Sequence, residues 1–89
     1  MNITWENLKN LPVFTQSNEQ LGKICELEIN SNTHSISRYV IRNSEMIKRL
    51  TGEKILISPS QVLSINENKM IVEDNVVNNK VLVKEAATV

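Results

Sequence analysis

Eighty-nine residues are enough for one domain, 1–89, and leave no room for a second core. Ten acidic and ten basic side chains cancel, which argues against a domain built chiefly to grip nucleic acid while permitting a local basic patch. The single cysteine, Cys25, excludes an internal disulfide and fits a reducing, cytoplasmic compartment. The first residues lack a basic stretch followed by an apolar run, and no apolar run exceeds three residues, so neither a signal peptide nor membrane insertion is expected.

Apolar residues make up 40% of the chain but aromatics only 3%, so the core has to be built from Ile, Leu and Val, which pack well on pleated surfaces. Thr4 is placed to cap a short helical turn carrying Trp5 and Leu8 on one face. A first strand is predicted over 11–15, with Pro12 near its start, where a missing N–H is tolerated. Polar residues 16–20 form a turn, and a strand over 21–29 follows. From Cys25 that strand alternates, with Cys25, Leu27 and Ile29 on the face expected to point inward and Glu26, Glu28 and Asn30 on the other. A turn over 30–33 leads to a strand over 36–42, whose Tyr39, Val40 and Ile41 are apolar on both faces. That pattern suits a central strand or an interface.

Ser44 is a plausible helix cap, with Met46, Ile47 and Leu50 at helical spacing before Gly52. A strand over 54–58 ends at Pro59, and segments 61–65 and 69–73 are predicted to form a hairpin across Asn66-Glu67-Asn68. Val76-Val77 and Val81-Leu82-Val83 flank Asn78-Asn79 as a second possible hairpin, and 86–89 are expected to fray. The twelve asparagines fall mostly in the predicted turns. The expectation is an all-β fold, a closed or nearly closed small barrel of six or seven short strands with one short helical turn.

Catalytic machinery is hard to assemble from these residues. A nucleophile needs a base within hydrogen-bond reach, and the one histidine, His34, falls in a turn. Cys25 and His34 become neighbours if their strands pair, but the cysteine is expected to face the core as a small hydrophobe, with Glu26 and Glu28 disfavouring its thiolate. One Cys and one His cannot build a zinc site, and Gly22 and Gly52 stand alone instead of forming a phosphate loop. No catalytic, cofactor or metal residue is predicted. Glu26 and Glu28 read as a solvated face or as edge protection.

The patch with functional content is basic: Arg38, Arg42, Lys48, Arg49 and Lys54 lie within seventeen residues, interspersed with Glu45 and Glu53. Arg38 and Arg42 share strand parity. The cluster is a candidate for contacting a partner or a phosphate group, set against the plainer reading of a mixed, solvated surface. Tyr39, Ile41 and Met46 are the candidate interface residues, although Met46, Ile47 and Leu50 serve as well to cap the barrel.

In chain order these segments resemble the PRC-barrel family. The resemblance rests on Leu8 to Val13, then Leu21-Gly22-Lys23-Ile24, the acid-flanked strand ending Leu27-Glu28-Ile29-Asn30, and the apolar strand Ile36 to Ile41. Ile55-Leu56-Ile57-Ser58-Pro59, Val62 to Ile65 and Met70-Ile71-Val72 complete it, for a span of 8–73 with 74–89 as an extension. Gly22 fits a tight barrel corner, where a strand glycine marks a bulge or a close backbone approach. Asn18 and Thr33-His34 stand where the family often has turn glycines, and Ser60 stands where a tryptophan commonly follows the proline.

The resemblance implies a small β-barrel. Such barrels occur in the cytoplasmic part of a photosynthetic reaction-centre subunit, in a bacterial ribosome maturation factor, and as stand-alone interaction modules without a shared catalytic set. The expectation is a non-enzymatic protein-binding or adaptor domain that self-associates as a homodimer. An RNA- or ribosome-associated factor using the basic cluster is the alternative.

Overall fold

The computed structural model describes residues 2–43 and 52–83. The predicted helical stretch at 44–50, with Met46, Lys48 and Arg49, lies outside them, as do residues 84–89. The chain opens with a single helical turn, α1 (Trp5–Leu8), capped by the Thr4 side chain, which accepts from the Asn7 N–H at 3.3 Å. Seven strands follow: β1 (Pro12–Thr15), β2 (Gln20–Asn30), β3 (Ser35–Arg42), β4 (Gly52–Ile57), β5 (Val62–Ile65), β6 (Met70–Val72) and β7 (Lys80–Val83). Two 3-10 turns, Pro59–Gln61 and Asp74–Asn79, lead into β5 and β7.

Turn chemistry sets these boundaries. Asn10, Asn18 and His34 sit at positive φ, a region that Asn and His enter more readily than bulkier residues. The Asn30 side-chain oxygen accepts from the backbone of Asn32 and Thr33, and that of Asn66 accepts from Asn68 and Lys69, which shapes both hairpin loops.

The strands form one sheet in the order β5-β6-β1-β2-β3-β4-β7. Every pairing is antiparallel except β1 with β6. The core is aliphatic, with Val13, Ile24, Ile41, Ile57, Met70, Val72 and Val76 fully buried and Tyr39 the aromatic member. Leu8 of α1 packs against it.

The all-β architecture matches the expectation, but the barrel is not closed by strand pairing. Strands β5 and β7 end the order without pairing to each other. The seam is bridged by side chains: the Asn79 amide nitrogen donates to the carbonyl of Leu56 on β4 at 2.7 Å and to Gln61 Oε1 at 2.9 Å. Gln61 leads into β5, and its Oε1 also accepts from the Ser58 N–H at 3.1 Å.

The C-terminal hairpin expected around Asn78-Asn79 does not form. Residues 74–79 make a 3-10 turn that plugs Val76 into the core, and β7 pairs with β4 instead. Burial of Val76 and completion of the β4 hydrogen bonds outweigh the local turn preference of two asparagines.

Candidate functional site

Strand β2 is longer than its neighbours, and its residues beyond Leu27 pair only with β3, so the two strands extend as an arm. Two register shifts shape that arm, one between Ile24 and Glu26 and one between Glu28 and Ile29. The first makes Cys25 an extra residue opposite β3, and it breaks the alternation expected from the sequence. Ile24 is buried in the core, Leu27 packs partly against it, and Cys25 is only half-buried, with its thiol donating to the Val40 carbonyl at 3.4 Å. The cysteine is therefore not one of the core's inward residues. Ile29, expected to point inward with it, is 59% exposed. His34 lies at the arm's tip, roughly 17 Å along the strand from Cys25 at about 3.3 Å per residue, so the two do not meet.

Burial pushes the Cys25 thiol above its ordinary pKa. The guanidinium of Arg42 opposes the shift, the Glu26 carboxylate adds to it, and the ammonium of Lys54 opposes it. The expectation that only acids would act on this thiol is thus corrected: two cations lie close enough to pull the other way.

The predicted basic cluster divides on folding. Arg38 stands directly opposite Glu28, and its Nε meets that carboxylate at 2.8 Å. Glu26 and Glu28 are thereby cross-strand counter-charges as well as a solvated face. Arg42 is different. Its side chain is 14% exposed, the nearest Glu26 oxygen is 3.9 Å from its terminal nitrogen, and its buried Nε has no hydrogen-bond partner. Directly opposite Arg42 stand Lys23 on β2 and Lys54 on β4. Directly paired residues share a sheet face, so Lys23, Arg42 and Lys54 form a cationic row behind the buried row Ile24, Ile41 and Ile55. Lys23 was not among the predicted site residues, because only the register brings it beside residues nineteen and thirty-one positions later.

Tyr39 and Ile41, predicted for an interface, are buried in the chain's own core. Their apolar run reflects a central strand covered on both faces, with Val40 fully buried as well.

Among the described residues, two concave surfaces stand out. The larger, of about 530 Å³, is a polar cleft whose lining includes Arg38, Ser58, Ser60, Gln61, Glu73 and Asn79. Its Gln61 and Asn79 groups are occupied in bridging the seam, which makes the cleft a structural joint. The smaller, of about 410 Å³, is an apolar groove lined by Trp5, Cys25, Glu26, Leu27 and Ile29. Trp5 remains 40% exposed there, beside Ile29. Neither was predicted as a contact residue, since only the fold brings the first helical turn against the β2 arm.

The model of the PRC-barrel domain matches residues 2–85, nearly the whole chain. The chain belongs to the PRC-barrel family. The match runs past both ends of the 8–73 span on which the resemblance rested, and takes in the 3-10 turn at 74–79 and β7. No curated protein matches the chain significantly. Among the described residues, no helix is long and apolar enough to cross a membrane.

Proposed function

We propose that this PRC-barrel protein is a non-enzymatic protein-binding or adaptor domain, working in the reducing cytoplasm, and that it self-associates. The observation that supports this reading best is the apolar groove beside the β2–β3 arm. Trp5 and Ile29 hold large apolar surfaces in water around a concave site, with Leu27 forming part of its lining. An aromatic anchor beside aliphatic side chains at a concavity is the pattern that dominates binding energy in protein interfaces. A non-enzymatic role is further supported by the separation of Cys25 from His34.

Self-association has separate support in the β5 edge, which pairs only with β6 among the described residues and where Leu63 is 47% exposed. An open edge strand with an exposed aliphatic residue is a template for pairing with a second copy.

The test is capture of partners from host lysate by tagged protein, with and without ribonuclease, alongside an Ile29→Lys variant. A protein retained by the wild type after nuclease treatment and lost with Ile29→Lys supports the adaptor reading. Retention that collapses with nuclease in the wild type transfers the function to RNA association through the basic residues. Sedimentation at tens of micromolar addresses self-association, and a monomer there removes it.

A further inference from the structure

Like charges directly opposite one another on neighbouring strands destabilise a sheet. On this face the molecule avoids that at one position and not at another. Arg38 has Glu28 across from it at 2.8 Å, whereas Arg42 has a lysine on each side. Among the described residues, the carboxylate paired with the row is that of Glu26, which is 3.9 Å from Arg42 and more than half exposed, so it screens the three cations poorly. The Arg42 side chain is at the same time recessed, 14% exposed against 46% for that of Arg38, and its Nε is buried without an acceptor. A buried guanidinium nitrogen that makes no hydrogen bond is costly to leave unmatched. The fold holds the strands together at this point: β2 runs so close to the end of β3 that Gly22 has no room for a Cβ against the Arg42 backbone.

We infer that Lys23, Arg42 and Lys54 form a binding site for a phosphate-class oxyanion, either free or carried as a monoester. The geometry suits this chemistry. A guanidinium fork offers directed N–H donors to a tetrahedral oxyanion, and flanking ammonium groups add charge without demanding one orientation. The site excludes Arg38, which is consumed by its own ion pair, and includes Lys23 from the preceding strand. It does not depend on the adaptor reading, because the groove residues Trp5 and Ile29 are no part of the row. Ile29→Lys is expected to leave anion binding intact, and substitution of the row to leave groove binding intact.

The probe is inorganic phosphate, titrated into isotopically labelled full-length protein at constant ionic strength, with chloride as the balancing anion. Saturable shifts in the amide signals of 22–24, 41–43 and 54–55 are expected. Arg42→Gln is expected to abolish saturation, and Lys23→Met or Lys54→Met to weaken it by roughly tenfold each, the scale of one charge-assisted contact. Spectra unchanged elsewhere verify that the variants fold. Phenyl phosphate in a parallel titration separates the two sources. Binding comparable to phosphate marks a site open to phosphorylated ligands, and binding of phosphate alone marks an enclosed ion site. The Cys25 thiol gives a readout that needs no variant, since an anion that cancels the pull of Arg42 and Lys54 is expected to slow its alkylation at fixed pH. Shifts that follow ionic strength alone, or saturation that survives the Lys23→Met/Lys54→Met double substitution, would overturn the assignment.

Discussion

Gly22 of β2 lies against the main chain of Arg42 at the end of β3: a Cβ built on it would stand 2.7 Å from the Arg42 carbonyl carbon and 2.9 Å from the Asn43 nitrogen. Both atoms are backbone, so neither can swing aside, and the φ of Gly22 is +147°, a conformation that residues with a side chain rarely adopt. The β1–β2 register shifts beside this residue, so the glycine is where the sheet turns its corner. Gly22→Ala combines backbone strain with a clash and is expected to cost about 3 kcal/mol or more. For a domain of this size that corresponds to a fall in melting temperature of ~10 °C or more. Thermal unfolding followed by circular dichroism checks it, and a fall of only a degree or two would show that the corner relaxes without penalty.

The seam of the open barrel makes a second expectation. Asn79 uses both protons of its amide nitrogen, one to the Leu56 carbonyl and one to Gln61 Oε1, and it thereby ties β4 to the turn that starts β5. Asn79→Ala removes both of these bonds, leaving Gln61 Oε1 with its Ser58 donors and the Leu56 carbonyl without the amide, which costs about 1–3 kcal/mol. Asn79→Asp is expected to be worse, since it sets a carboxylate against the two acceptors. Urea unfolding of Asn79→Ala, Gln61→Ala and the double variant forms a cycle. A double loss smaller than the sum of the two single losses is expected, because the residues act on one another. Strict additivity would mean that the seam is held by packing alone.

The sequence made the punctuation of this fold legible and left its registers hidden. Thr4 as a cap, the asparagine turns, Gly22 as a corner and most strand positions could be read locally, because each depends on the residue and its near neighbours. The β-bulge at Cys25 could not. One inserted residue reverses the face of everything after it, and nothing in Ile24-Cys25-Glu26 marks the insertion. The same holds for the candidate sites. Arg42 and Lys54 stood out as part of a basic stretch, but the neutralisation of Arg38 by Glu28 and the arrival of Lys23 beside Arg42 depend on strand pairing. The partnership of β7 with β4 was masked by a local hairpin signal in Asn78-Asn79, which burial of Val76 overrides. Tyr39 and Ile41 looked like interface residues because a strand covered on both faces and a strand awaiting a partner have the same apolar pattern.

Asp74 joins the last 3-10 turn to the β1–β2 turn, and its behaviour is expected to be pH-dependent. Its carboxylate accepts from the Ser17 hydroxyl at 2.6 Å and from the Ser17 N–H at 2.9 Å. These bonds, the hydroxyl first, hold its pKa below the ordinary carboxylate value. The bonds favour the charged form and exist only in the folded chain, so their contribution to stability is complete above the unfolded value near pH 4 and fades as pH falls through the lower folded value. The group is solvent-exposed, so the contribution is modest and weakened by salt. Carbon-detected titration of the Asp74 carboxyl is expected to give a midpoint below the ordinary range, and Ser17→Ala to move it part of the way back, since the backbone N–H remains. In Asp74→Asn the acid limb of the stability profile is expected to flatten below about pH 4, with no change above it. An Asp74 midpoint at the ordinary value, unmoved by Ser17→Ala, would mean that these hydrogen bonds are broken in solution and that the two turns are held together by the core behind them.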